Sequence, residues 1–174
     1  IEFMGIWDTV SSLGTPQIPL LDTLINIFLP HRFYDLSPEN CVKNVYHAMA
    51  IDDERRTFWP LVWNEKKFDG TGKKIEQVWF TGMHSNVGGG YNRHELSNIT
   101  FDWMMERLEG HANASKPRNG GLDLKQDTIK EAREDANPFG KMYDSRGGLA
   151  VFYRYSPRPI KKLCENILNS RIKI

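Results

Sequence analysis

Two ionisable residues, Asp8 and His84, are suited to be the acid and the base of a nucleophile triad. Asp8 follows a continuous apolar run at residues 3–7, which is typical of a buried parallel strand. His84 follows a second predicted strand at residues 75–83, with Val78-Trp79-Phe80 at its centre. The carboxyl ends of parallel strands gather catalytic groups. We expect Asp8 to accept the Nδ1 proton of His84 while Nε2 deprotonates a serine. The non-catalytic alternatives are a turn-forming or helix-capping Asp8 and an ordinary loop histidine.

Three consecutive glycines follow the candidate base at residues 88–90. Glycine permits backbone conformations closed to other residues, so another group can approach the backbone closely beside His84. The alternative is a loop that cradles phosphate in a nucleotide-binding module. The run lacks the Gly-x-Gly-x-x-Gly and Walker spacings, and the sequence therefore favours the first interpretation.

A nucleophile for this pair is missing, because the sequence contains no Gly-x-Ser-x-Gly elbow. The nearest counterpart is residues 143–147, where tyrosine replaces the first glycine and no apolar strand precedes Ser145. We predict that Ser145 lies in a surface turn. Ser85 is a poor partner for His84, because adjacent side chains on an extended strand point apart. The chain order nucleophile, acid, base is that of α/β-hydrolases, and this chain holds the last two.

The other ionisable residues are interpreted as structural or solvated. We predict that His47 is a structural residue near the Val45–Met49 face of a helix. The charged run at residues 52–56 is predicted to be a solvated, self-paired patch at that helix end. Asp8, His84 and His94 do not have metal-ligand spacing, and neither a metal nor another cofactor is expected. The histidines expected to be solvated are His31, His94 and His111.

The first half of the chain is predicted to alternate strands and helices. A strand at residues 3–7 precedes a helix at residues 20–29. Ser37-Pro38-Glu39 is a typical helix start, and apolar residues at helical spacing continue this second helix to Met49. The next strand is expected at residues 75–83.

The second half is predicted to be mainly helical and polar. A helix runs from Leu96 to Gly110, a polar loop follows at residues 113–121, and weakly patterned polar sequence continues to Gly140. A last helix starts at Pro159. Strands that alternate with helices indicate an α/β fold.

Composition narrows the class of protein. The 174 residues suit one domain, and 40% hydrophobic residues suffice for a core. The net charge of +1 argues against a nucleic-acid partner.

Residues 18–29 form the most apolar segment, but it is too short to span a membrane. For residues 18–28 core packing is the favoured role, and an interfacial or lid helix is the alternative. Cys41 and Cys164 match no metal or redox spacing and are expected to be reduced and packed.

Four blocks, in the same order, resemble one known family. They are residues 5–10 (GIWDTV), 48–56 (AMAIDDERR), 82–91 (GMHSNVGGGY) and 153–158 (YRYSPR). They are similar to the signature blocks of the type VI secretion phospholipase effectors, the Tle catalytic-domain family, which was long catalogued as a domain of unknown function. One departure is Asn86, where the family usually has aspartate; the change puts a metal or charge role at that position in doubt.

The resemblance implies a serine hydrolase with esterase or phospholipase activity, in which Asp8 is the acid and His84 the base. It implies a serine upstream of residue 1, so that residues 1–174 form the C-terminal portion of one α/β-hydrolase-like domain with a mostly parallel sheet, inactive alone. Lipid or ester is the implied substrate, and secretion as an effector is consistent with the family. The apolar start of the chain also suggests a fragment. The competing hypothesis is an inactive hydrolase-like domain that binds a partner or a membrane surface.

Overall fold

A three-stranded parallel sheet forms the centre of the protein. The computed structural model describes residues 1–10, 38, 41–114 and 122–165. The strands are β1 (Phe3–Trp7), β2 (Asn44–Ala50) and β3 (Lys74–Phe80), in the order β1-β2-β3. Strand β2 pairs in parallel with both neighbours, so the carboxyl ends of all three strands lie at one edge. This parallel sheet with its helices confirms the α/β class.

The central strand β2 lies in a segment that we predicted to be helical, and that prediction was wrong. Every residue from 45 to 50 is buried. A fully buried run also satisfies the i, i+3, i+4, i+7 pattern of a helix, so the spacing of the apolar residues did not distinguish the two structures. Continuous burial is what the middle strand of a parallel sheet requires, because helices or loops cover both of its faces.

Hydrophobic clusters cover both faces of β2. On one face Val45 packs with Ile75 of β3. On the other face Ala48 and Ala50 pack with Val87. Since these side chains alternate along the strand, β2 anchors the hydrophobic interior from both sides.

Four helices complete the described fold. They are α1 (His84–Gly88), α2 (Glu95–Ala114), α3 (Gln126–Asp135) and α4 (Ile160–Glu165). Three 3-10 segments add single turns: Arg56–Phe58, Glu65–Phe68 and Gly148–Phe152.

Helix α2 packs against the sheet at close range. The ring of Trp103 meets those of Tyr46 and Phe80 edge-on, with centroid separations of 6.3 and 5.4 Å. A Cβ atom on Gly5 of β1 would lie 2.7 Å from the Sδ of Met104. Glycine at this position therefore allows the helix to approach the strand.

Helix α3 lies in the polar stretch in which we predicted no regular element. Ile129 is its one buried residue, so the apolar periodicity is too weak to mark a helix. Arg133 forms an ion pair with Asp102 of α2 at 2.6 Å. Helix α3 is therefore held by its contact with α2 rather than by a broad apolar face.

The other helix and strand predictions fared better. The helix predicted from residue 96 to 110 is confirmed and continues to Ala114, whereas β3 ends at Phe80 instead of residue 83. The final helix is confirmed over Ile160–Glu165. The helix predicted at residues 20–29 lies outside the described residues, as does most of the loop predicted at 113–121.

Cys41 and Cys164 are both free thiols, as predicted, but Cys41 is exposed rather than packed. In the part of the chain that the structure describes, no helix has the length and apolar character needed to cross a membrane.

Candidate active site

Asp8 lies at the carboxyl end of β1 with its side chain directed to β2. Its backbone N–H donates to the Ala48 carbonyl at 2.7 Å, and its Oδ1 accepts from the Ala50 N–H at 2.8 Å. Its φ of 43° lies in the left-handed region, which aspartate tolerates better than most residues. The next residue, Thr9, donates its N–H to His47 Nε2 at 3.1 Å. These bonds hold both the backbone and the carboxylate of Asp8 against β2.

His84 is the first residue of α1, and the structure brings it to Asp8. Its Nδ1 lies 2.6 Å from the Asp8 Oδ2. An ionised carboxylate can only accept, so Nδ1 donates the proton and Nε2 of the neutral ring is left as an acceptor. The Asp8 side chain is fully buried, whereas that of His84 is 31% exposed. Within the described residues Nε2 has no hydrogen-bond partner, and a hydroxyl group can bind there.

An aromatic side chain borders the imidazole. The Phe58 ring meets the His84 ring edge-on at a centroid distance of 5.1 Å, and Arg55 lies over the Phe58 ring at 3.5 Å. The 3-10 turn after β2 therefore forms one wall of the site.

Arg158 is a third member of this cluster, and our sequence interpretation assigned it no role. Its Nη1 and Nη2 lie 2.6 Å from Asp8 Oδ1 and Oδ2. The same two nitrogens donate to the carbonyls of Ala50 and Phe58. Because 150 residues separate Arg158 from Asp8, no local spacing reveals the pair. The one available signal was the position of Arg158 at the end of the block at residues 153–158.

The electrostatics of the cluster keep the acid ionised. Burial alone would raise the pKa of Asp8, but the hydrogen bonds from His84 and Arg158 outweigh it and hold the pKa below its usual range. Burial lowers the pKa of His47 to about 4. His47 is therefore neutral at pH 7 and accepts the Thr9 N–H.

The charged run at residues 52–56 is self-paired, as predicted, but it follows a strand rather than a helix and is not a solvated patch. Asp53 is fully buried, and its carboxylate is bound by Arg55, with an Nη2–Oδ2 distance of 2.7 Å. The Asp53 Oδ2 also accepts the His84 N–H at 3.1 Å. Asp52 Oδ2 accepts the Gly82 N–H at 2.6 Å. The run thus anchors the backbone that leads into His84.

A family model described as "T6SS, Phospholipase effector Tle1-like, catalytic domain" matches residues 1–107, a range that contains Asp8 and His84. The chain belongs to this family. Arg158 lies outside the matched range. Neither the search of curated proteins nor the search of solved structures found a match.

Asn86 has a structural role in this Tle1-like domain. It is buried in α1, where its Oδ1 accepts the N–H groups of Met83 and Tyr143 at 3.2 and 3.4 Å. Its Nδ2 donates to the Lys141 carbonyl at 3.2 Å. A carboxylate cannot donate, so asparagine satisfies this site where aspartate would not.

The glycine run of the Tle1-like domain ends α1. Gly89 and Gly90 have φ values of 84° and 109°, which side-chain-bearing residues rarely adopt. Gly88 is the last residue of the five-residue helix α1, and Gly89 and Gly90 continue the chain toward α2. These positive φ values explain why glycines occupy positions 89 and 90.

Neither serine considered from the sequence is paired with the base. Ser145 is buried, so the prediction of a surface turn was wrong for its side chain, and its Oγ has no partner among the described residues. Ser85 lies beside His84 in α1, and the described hydrogen bonds do not join its hydroxyl to the imidazole.

Of the three histidines expected to be solvated, His94 is exposed, as predicted. His111 is partly buried in α2 rather than fully solvated, and His31 lies outside the described residues. His47 is buried, as predicted, but on a strand rather than a helix. Across residues 1–10, 41–114 and 122–165, no group of three or more His, Cys, Asp or Glu residues could hold a metal ion.

Proposed function

We propose that this chain carries the acid and the base of a serine hydrolase that cleaves carboxylic esters of phospholipids. Its membership of a family of phospholipase effector catalytic domains supports the substrate class. The observation that carries the proposal is the 2.6 Å contact between the buried Asp8 carboxylate and the partly exposed His84 imidazole. A carboxylate–imidazole pair with an accessible Nε2 is suited to activate a hydroxyl nucleophile.

In the proposed reaction, His84 carries the proton between nucleophile and leaving group. The serine Oγ attacks the ester carbonyl carbon as Nε2 takes its proton, while Asp8 retains the Nδ1 proton and stabilises the imidazolium. Collapse of the tetrahedral intermediate breaks the ester C–O bond, and Nε2 protonates the leaving alcohol. Water then cleaves the acyl-enzyme by the same proton transfers, which releases the fatty acid and restores the serine.

The proposed serine precedes residue 1, and residues 1–174 are the C-terminal portion of one α/β-hydrolase-like domain. The missing Gly-x-Ser-x-Gly motif and the chain order of Asp8 and His84 support this placement. Backbone N–H groups near that serine would stabilise the oxyanion.

A membrane surface is the proposed partner. Six of the nine large hydrophobic side chains that are exposed in the described residues lie between residues 139 and 155, together with Lys141, Arg146 and Arg154. Apolar side chains beside cations suit an anionic lipid surface. We name these six the apolar patch: Phe139, Met142, Leu149, Val151, Phe152 and Tyr155.

Vesicles of phosphatidylglycerol and phosphatidylethanolamine test the apolar patch. In the full-length protein, Leu149→Ser with Phe152→Ser should weaken sedimentation with the vesicles on the order of tenfold, since two exposed apolar groups are lost. Leu122→Ser, at another exposed apolar residue, is the matched control. Equal binding of all the proteins would refute the membrane contact.

Activity of the full-length protein tests the hydrolase proposal. His84→Ala should lower kcat for phospholipid hydrolysis about 10⁴-fold or more, because triad members act as a unit. The matched control, His94→Ala, alters an exposed histidine and should leave kcat unchanged. Residues 1–174 alone should give no hydrolysis.

Two outcomes would refute the proposal that the protein is a hydrolase. One is a folded His84→Ala protein with nearly wild-type turnover. The other is a folded full-length protein without ester hydrolysis, which would favour the inactive partner-binding domain.

A further inference from the structure

Arg158 makes more hydrogen bonds than an ion pair with Asp8 alone would need. Its side chain is fully buried, and its two terminal nitrogens bind both carboxylate oxygens of Asp8 and two backbone carbonyls. The carbonyls belong to Ala50, at the end of β2, and to Phe58, whose ring borders His84. A planar guanidinium held at four acceptors has a fixed orientation.

The orientation of Arg158 determines that of the Asp8 carboxylate. In a bidentate pair the guanidinium and carboxylate planes align, so Oδ1 and Oδ2 occupy defined positions. Oδ2 accepts from His84 Nδ1 and from Arg158 Nη2, both at 2.6 Å. Rotation of the carboxylate would break the contacts to Arg158 and the contact to the imidazole together.

We propose that Arg158 is a positioning residue of the hydrolase, which aims the Asp8 carboxylate at His84 and keeps that carboxylate ionised. This proposal rests on the proposed function. The hydrogen bonds and the permanent charge of Arg158 help to hold the pKa of Asp8 below its usual range, so the carboxylate stays ionised and can orient His84.

Removal of the charge should shift the activity profile in a defined direction. Without Arg158, the pKa of the buried Asp8 would rise, and a protonated Asp8 would no longer orient the His84 ring. This change moves the acid limb of kcat/KM to higher pH. Such variants do not alter the other titratable or charged groups around the pair, which are His47, Asp53, Arg55 and Tyr153.

The experiment measures ester hydrolysis by the full-length protein across pH. Arg158→Met should lower kcat on the order of 10²-fold with little change in KM, because the base is misplaced while substrate contacts remain. The acid limb should rise by about one pH unit. Arg158→Lys keeps the charge without the fork, so kcat should fall while the acid limb stays near its wild-type pH. Arg93→Met, at an exposed arginine outside the apolar patch and its cations, is the matched control.

The outcomes separate this inference from the proposed function. If His84→Ala abolishes turnover but a folded Arg158→Met protein keeps the wild-type kcat and pH profile, the positioning role alone is refuted. If His84→Ala retains turnover, the proposed function itself fails. Should Arg158→Met not fold, Arg158→Lys decides: an unchanged kcat refutes the role of the fork, and a lower kcat with an unmoved acid limb supports it.

Discussion

The ends of β1 and β2 each place a fully buried carboxylate at the same edge of the sheet, and each carboxylate is paired with an arginine. Asp53 binds Arg55, two residues along the chain, whereas Asp8 binds Arg158, 150 residues away. Asp53 Oδ2 accepts the backbone N–H of His84, and Asp8 Oδ2 contacts its imidazole. One aspartate thus holds the main chain of the histidine and the other its ring.

The difference shows that the local and the long-range ion pair have different roles. The Arg55 side chain is 13% exposed, and it completes a turn close to its own backbone. The Arg158 side chain has no exposed surface, so its charge is balanced by Asp8 and by polar backbone groups alone. Disruption of the long-range pair should affect both chemistry and stability, and disruption of the local pair mainly stability.

Asp8→Asn in the full-length protein should have the largest effect. Turnover is expected to fall about 10⁴-fold, because the amide no longer fixes the tautomer of His84 or stabilises its charged form. Loss of the carboxylate also leaves Arg158 buried without a counter-charge, which should lower the free energy of unfolding by about 3 kcal/mol. Steady-state kinetics and urea denaturation measure the two losses. A large loss of stability with unchanged turnover would assign Asp8 a purely structural role.

Mild acid should lower the free energy of unfolding through His47 before it protonates Asp8 or Asp53. Burial depresses the pKa of His47 from 6.5 to about 4, so the unfolded chain binds more protons between those values. His47 therefore contributes stability that is fully present above pH 6.5 and is lost as the pH falls toward 4, up to about 3 kcal/mol. The pKa values of Asp8 and Asp53 lie below their usual range, and their contributions are lost at lower pH.

Urea denaturation at pH 7 and pH 5 measures the contribution of His47. In His47→Gln, which retains an acceptor for the Thr9 N–H, the difference between the two pH values should shrink. An undiminished difference in that variant would show that another group causes the acid sensitivity.

Asp53→Asn should have the smallest effect of the three. The amide oxygen can still accept the His84 N–H, while the ion pair with the partly exposed Arg55 is lost, so stability should fall by about 2 kcal/mol. Turnover should fall no more than about tenfold, because the Asp8–His84 contact remains. A loss of turnover equal to that of Asp8→Asn would remove the distinction between the two carboxylates.

Much of the sheet and the helices followed from local pattern, and the errors have common physical causes. Strand β1 is a continuous apolar run and β3 has the apolar centre Val78-Trp79-Phe80, and both were predicted correctly as strands. Strand β2 was predicted as a helix, because a run that is buried on every side satisfies the periods of both structures. Helix α3 escaped prediction because Ile129 is its one buried residue.

Residue type and position after a predicted strand were sufficient to select Asp8 and His84 as candidates, since a strand end and the chemistry of a side chain are both local properties. The four blocks that resemble the family were likewise recognisable from the sequence alone. The burial of Asp53 and the pairing of Arg158 with Asp8 required the assembled fold. Charged residues carry no local signal of burial, because the energy that permits it comes from partners that the folding of distant segments brings together.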